Sequence, residues 1–223
     1  MFERTIKLIG EDKLNLIKEK TIMLIGLGGV GGYTLETLVR SGITNLILID
    51  YDIIDKTNLN RQILATNKVI GKHKTEVALN RIKDINPNCN VEIINIKLNE
   101  EEVEKLFNKK IDYVIDACDT INVKKKLILE CNKRKIKLIT CCGTGNKLDP
   151  TKFSITDIRK TSYDPIAKIL RKYVIDNKIN NKVMVVSSTE KPKKIEGTIS
   201  SISYVPSVAG ILLTSYVIND IIK

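Results

Sequence analysis

The sequence predicts an α/β domain built on a doubly wound sheet of mostly parallel strands, extended by C-terminal strands and a C-terminal helix. Three observations carry that reading. Short apolar runs alternate with helical-period segments between residues 21 and 142, a glycine-rich corner joins the first run to the first helix, and the second run ends on an acid, Asp50.

The elements follow in order. "TIMLIGL" (21–27) is a buried-strand run, and "GVGGYTLETLVRSG" after it places Leu35, Leu38 and Val39 at helical spacing with Gly42 as a stop. "NLILID" (45–50) is a second strand. A polar stretch follows to Asn67, after which "KHKTEVALNRIKDINP" puts Ala78, Ile82 and Ile85 on one helical face closed by Pro87. "VEIINI", an acidic helix from Glu100, "IDYVIDA", the helix "NVKKKLILECNKRK" and "IKLITCC" continue the alternation. Beyond residue 150, "KFSITDI" and "NKVMVVSS" read as strands flanking the helix "DPIAKILRKYVID", and a largely apolar helix starts near Ser207. The Pro, Gly and Lys content of residues 189–200 is that of a mobile loop. Length and pattern together give one domain over residues 1–223.

Composition excludes several classes. The five cysteines include no Cys-x-x-Cys pair, which argues against a disulfide framework and a structural zinc site and for a reducing compartment. The N-terminus is too charged for a signal peptide, and the apolar C-terminal run is interrupted by Asn219 and Asp220, so a cytoplasmic chain with no membrane partner is expected. The net charge of +11 fits either a lysine-rich solvated surface or a polyanionic partner, and charge alone does not choose.

"GLGGVG" sets Gly26, Gly28 and Gly31 in G-x-G-x-x-G between a strand and a helix, the context in which a Rossmann-like corner holds phosphate at a helix N-terminus. Asp50 is then the expected ribose acceptor. A nicotinamide dehydrogenase would need no more. The chain adds Arg61 in "TNLNRQ", Lys74 in "GKHKTE" and Asp119 in "DACDT", all past strand carboxyl ends. A dinucleotide's pyrophosphate is largely satisfied by backbone amides, whereas a triphosphate calls for extra cations and a carboxylate for magnesium. Each residue also has a plainer use: a surface arginine, an exposed helix-start lysine, a helix N-cap.

In their order and spacing, "GLGGVGG", "LIDYD", "TNLNRQ", "GKHKTEVALNRIKDINP" and "VIDACDT" resemble the ubiquitin-activating-type adenylating enzymes, whose bacterial members include the thiamine- and molybdopterin-pathway adenylyltransferases. The resemblance implies ATP as substrate. Gly28 and Gly29 would approach the phosphates, and Asp50, with Asp52 in the same block, would serve the ribose side. Asn58, Arg61, Gln62 and Lys74 would line the phosphates, and Asp119 would hold Mg2+. "FERTIKLIG" is similar to the segment that lends an arginine, here Arg4, to a neighbouring subunit, which implies a homodimer. The stretches "GTGNKLDPTKFSITDIRKTSYDPIAK" and "SISYVPSVAG" are similar to the tRNA threonylcarbamoyladenosine dehydratases, which cyclise a modified adenosine next to the anticodon. That branch implies tRNA as partner, gives the basic charge a reason, and leaves room for a sulfur-relay protein. The rival within the family is an adenylyltransferase acting on the C-terminus of a small sulfur carrier.

Basic residues gather at 124–126, 133–137, 168–172 and 191–194, the last two in the part specific to this branch and so the expected tRNA contacts. Any one such cluster is ordinarily a solvated face. Cys141 and Cys142 read as two small residues at a strand end, and His73 as a solvent-exposed side chain without a role.

Overall fold

Strand alternation decides which side of the sheet each residue faces. In β1 (Thr21–Ile25) Ile22 and Leu24 point one way and Met23 and Ile25 the other; in β2 (Asn45–Ile49) Leu46 and Leu48 oppose Ile47 and Ile49. All eight are buried, because a parallel sheet is covered on both faces. The computed structural model describes residues 1–197 and 199–223. It contains a seven-stranded sheet in the order β3-β2-β1-β4-β5-β7-β6, where β3 is Asn90–Ile94, β4 Tyr113–Asp116, β5 Lys137–Cys141, β6 Phe153–Asp157 and β7 Met184–Ser188. Every pairing is parallel except β6 with β7 at the edge. The chain order reverses direction between β1 and β4, and the crevice opened there lies at the strands' carboxyl ends.

Two short helices, α1 (Glu3–Ile9) and α2 (Glu11–Glu19), precede the sheet, and of these only α2 contributes buried residues, Leu14 and Ile17. One face of the sheet is covered by α3 (Gly29–Arg40), α4 (Lys74–Ile85) and α8 (Tyr204–Ile221), the other by α5 (Glu100–Leu106) and α6 (Ile121–Arg134). Helix α7 (Pro165–Asp176) packs Ala167, Leu170 and Val174 under β5 and β7.

Helix α8 starts at Tyr204, ahead of the expected Ser207. Pro206 falls in its first turn, where a missing backbone N–H costs nothing. The helix runs through Asn219 and Asp220, and by length and composition alone it is apolar enough to cross a membrane. In this fold it buries Val205, Ala209, Leu213 and Val217, worth about 1.5–3 kcal/mol for each Val or Leu. The crossing with α3 is close, since a Cβ on Gly210 would meet the Val30 carbonyl. The Thr214 hydroxyl donates to Thr34 O at 3.1 Å and lies 2.7 Å from that of Thr37. These contacts fix the helix that carries the glycine corner.

Residues 189–197 form neither helix nor strand, and Thr198 of the expected mobile loop lies outside the described residues. Asn146 ties the segment to the rest. Its carbonyl accepts from Lys193 N–H at 2.8 Å, its N–H donates to Ser200 O at 2.8 Å, and its Oδ1 accepts from Ser200 N–H at 2.7 Å.

Candidate active site

The crevice is a cleft of about 610 Å3, inside the range of roughly 300–1,000 Å3 typical of small-molecule sites. Its floor is the glycine corner. Gly26 adopts φ +88°, and a Cβ there would stand 2.8 Å from the Ala117 carbonyl oxygen, so β1 and β4 can approach only with glycine at this turn. Gly28 caps α3 with no side-chain partner, which leaves the first amides of the helix for an anion. Asp50 stitches this corner together: Oδ2 accepts from Leu27 N–H at 2.6 Å and Oδ1 from Asp52 N–H at 2.8 Å. A carboxylate offers about four acceptor positions, so capacity remains for ribose hydroxyls.

The polar stretch after β2 folds back on itself. Ile53 bridges to His73, Lys74 N–H donates to Asp52 O at 3.0 Å, and the Lys74 ammonium meets Asp52 Oδ2 at 2.7 Å. Lys74 is 4% exposed, at the start of α4, and it lines the cleft. It is therefore no surface lysine. His73 is the N-cap residue of that helix and is half-buried, with its Nδ1 buried and unpartnered among the described residues, so the ring expected in solvent is only partly exposed.

The "TNLNRQ" block is shaped by Asp55, whose carboxylate accepts from Thr57 N–H at 2.8 Å, while Asn58 Oδ1 accepts in return from Asp55 N–H at 3.1 Å. That reciprocal cap turns Asn58, Arg61 and Gln62 toward the cleft. The Arg61 guanidinium rests on Thr57 O and Asn60 Oδ1 at 3.0 and 2.8 Å through one nitrogen, Nη1, and its other donors meet no acceptor among the described residues.

Across the cleft, Asp119 is exposed on the corner between β4 and α6 and, among the described residues, is held only by a long 3.4 Å contact from the Thr120 hydroxyl; Thr120, not Asp119, occupies the N-cap position of α6. The charge of Asp52, then burial, then the charges of Asp119 and Asp50 raise the Tyr51 phenol above its ordinary value, placing three carboxylates around one ring. Lys97 stands 5.4 Å from the centre of that ring. Among the described residues no three acid, His or Cys side chains form a ready metal cage. Magnesium needs no such cage, because one or two carboxylates, phosphate oxygens and water satisfy it, so a free Asp119 fits the ion.

The far end of the cleft is lined by Cys141, Cys142 and residues 143–145, with Ile199 packed against Gly145, while Pro206 lies beside Gly29 at the glycine corner. Burial pushes the Cys141 thiol up to about 12 and holds that of Cys142 well above its usual value. Both are poor nucleophiles at neutral pH.

The cleft thus gathers Gly26, Gly28, Gly29, Asp50, Asp52, Asn58, Arg61, Gln62, Lys74 and Asp119. Gly31 and Arg4 lie outside it. A Cβ on Gly31 would strike the Gly26 carbonyl, so the fold of the corner requires glycine here. Arg4 is exposed on α1, a helix with no buried residue. Sequence reasoning passed over Tyr51, Lys97 and Thr144; the first two directly follow or closely trail strand carboxyl ends, a position that marks them. It also took residues 124–126 for a solvated face, whereas Lys124 is 1% exposed and ion-paired.

A helix N-terminus with open amides, two cations and an exposed carboxylate share one crevice, an arrangement that fits a nucleotide-binding α/β fold of the adenylating kind. The sequence pattern of the ThiF family matches residues 2–220, and the chain belongs to that family. It is 40% identical to the tRNA threonylcarbamoyladenosine dehydratase of Bacillus subtilis over 240 residues, covering 100% of this chain and 94% of that protein. With the Escherichia coli dehydratase it shares 41% identity over 76% of this chain and 63% of that one. The E. coli dehydratase crystallised in complex with ATP superposes with a TM-score of 0.93 at 35% identity, covering 99% of this chain and 93% of that chain. The molybdopterin-synthase adenylyltransferase of Haemophilus influenzae is 30% identical over 77% of this chain and 69% of that protein.

Proposed function

We propose that this chain is an ATP-dependent tRNA threonylcarbamoyladenosine dehydratase working in the cytoplasm. The observation that carries the reading is the convergence of Arg61, Lys74 and Asp119 with the N-terminus of α3 on a cleft that continues past the nucleotide to residues 141–145. The full-length likeness to dehydratases supports this substrate over a sulfur-carrier protein.

The threonyl carboxylate resists attack by a weak nucleophile, and ATP activates it. A carboxylate oxygen attacks the α-phosphorus, pyrophosphate leaves, and an acyl-adenylate forms. The ureido group of the same nucleoside then attacks the acyl carbon, closes a five-membered ring, and AMP departs with the carboxylate oxygen. The closure is intramolecular, so proximity supplies on the order of 7–11 kcal/mol where the geometry is right. The amides of α3 and Gly28 and Gly29 hold phosphate oxygens; Asp50 and Asp52 take the ribose side; Asn58 and Gln62 line the phosphates. Arg61 and Lys74 meet charge that builds there. Asp119 would hold Mg2+, which supplies charge neutralisation between phosphate oxygens. Arg4 would complete the site of a second copy in a homodimer, and the exposed lysines at 168–172 and 191–194 would meet tRNA phosphates.

The test is incubation with magnesium, ATP and tRNA carrying threonylcarbamoyladenosine, followed by mass analysis of the nucleosides. Loss of one water from that nucleoside, dependent on ATP, is expected. No loss, with pyrophosphate exchange only when a small sulfur carrier is added, would move the assignment to the other branch.

A further inference from the structure

Lys124 lies in the run "VKKKL" and is sealed inside the protein. An ammonium has three donors, and three acceptors surround it: Asp116 Oδ2 at 3.0 Å, the Cys141 carbonyl at 2.9 Å and the Thr140 hydroxyl oxygen at 3.2 Å. The Thr140 hydroxyl in turn donates to Asp116. The remaining Asp116 oxygen, Oδ1, accepts from Cys118 N–H at 3.1 Å. A buried ion pair is often no better for stability than apolar residues of the same volume, so this one calls for a reason beyond stability.

The reason lies in what the network joins. Asp116 ends β4, Thr140 and Cys141 end β5, and Lys124 rises from the first turns of α6. Cys118 and Asp119 form the corner between β4 and α6 on the cleft wall. Asp119 has little of its own to hold it, among the described residues only the 3.4 Å contact from Thr120. Its place is therefore set by the backbone at Cys118, and Asp116 fixes that backbone only while Lys124 and Thr140 hold Asp116. A second buried pair does the same on the next segment, where Lys147 meets Asp164 Oδ2 at 3.0 Å and donates to the Gly143 carbonyl.

We propose that Lys124, Asp116 and Thr140 are positioning residues that aim Asp119 at the metal-bound phosphates. The proposal rests on the reading of Asp119 given above, and its readout does not need tRNA. Thr140→Val removes one hydroxyl at constant volume, Thr140→Ser restores it, and Lys124→Met removes the ammonium. ATP affinity is measured by calorimetry with and without magnesium, alongside melting temperature and the kcat and KM of ATP turnover.

For Thr140→Val the expected result is near wild-type melting, unchanged binding of ATP without magnesium, and about tenfold loss of the gain that magnesium gives. The kcat should fall about tenfold to a hundredfold with the Kd for metal-free ATP unchanged, the scale of a misplaced reacting group, and Thr140→Ser should recover kcat and the magnesium gain. Wild-type magnesium dependence in Thr140→Val overturns the proposal. So does an equal loss of ATP binding with and without magnesium in Thr140→Val and Lys124→Met, which is the mark of a purely structural role. A wild-type chain that dehydrates no tRNA yet shows this magnesium signature would discard the substrate and keep the positioning role. An Asp119→Ala chain that keeps the full magnesium effect would overturn both the metal role of Asp119 and the positioning role.

Discussion

The two ends of the cleft use their charged groups in opposite ways. At the nucleotide end Lys74, Arg61, Asp50 and Asp119 each make one or two contacts within the protein and keep donors or acceptors facing the cleft. Behind the wall that runs to the far end, Lys124 and Lys147 are each about 1% exposed at the side chain and use their ammonium donors on internal partners. Even the thiols there are held neutral by burial. One end is left incomplete for a ligand, and the other is completed so that its shape stays fixed. Charge alone therefore does not mark a functional lysine in this fold; unused donors do.

The largest effect should come from the nucleotide end. Lys74→Ala removes a desolvated cation and leaves Asp52 facing Asp50 and Asp119, so steady-state ATP turnover should fall by about 10²–10³-fold. Turnover within a few-fold of wild type would break the contrast between the ends. Next in size, replacing Lys191, Lys193 and Lys194 with Gln should leave ATP binding intact. The plot of log tRNA affinity against log salt should become shallower by roughly 2–3 units if all three meet phosphate. An unchanged salt slope in filter-binding titrations removes that segment from the tRNA surface.

A smaller effect concerns how the nucleotide end is held. Glu36 on α3 takes Nε and Nη2 of Arg81 on α4 at 2.9 and 2.8 Å, with Arg40 beside it. Burial pushes the Glu36 carboxyl up, and hydrogen bonds from Arg81 and Arg40 outweigh it, so the net shift is downward. A depressed carboxylate stabilises the fold at pH above its unfolded value, near 4.3, and that contribution fades as pH falls through the folded value. Chemical denaturation should therefore show Glu36→Gln less stable than wild type by about 1 kcal/mol at pH 7, discounted for the exposed arginines, with the gap closing below about pH 4. A gap independent of pH would mean the loss is steric. Smallest of all, Cys141→Ser with Cys142→Ser should change dehydration less than about twofold, since thiols held neutral take no part. A dead double variant would turn the far end into a catalytic one.

Much of this was legible in the sequence, for physical reasons. The strands and helices announce themselves through periods of two and of 3.6 residues, and the glycine corner through a spacing that only a strand-to-helix turn requires. Lys74 could be placed on the cleft side of the sheet from its block, but its burial could not, because the returning loop that covers it depends on the bridge between Ile53 and His73. Lys124 was hidden by its lysine neighbours, although the pattern held the clue: Lys124, Leu127, Ile128 and Cys131 share helical spacing and are all buried. The partners of these lysines, Asp116 and Asp164, come from other elements, and no local pattern pairs them. Arg4 stays on an exposed helix outside the cleft, where no local pattern marks it.

The central claim is that the substrate carboxylate is activated by attack on the α-phosphorus of ATP. Threonylcarbamoyladenosine tRNA labelled with oxygen-18 in that carboxylate tests it in one turnover. Mass analysis should find one labelled oxygen in the AMP released and pyrophosphate free of label. Label in inorganic phosphate, with ADP as the nucleotide product, would contradict the account by placing the attack on the terminal phosphate.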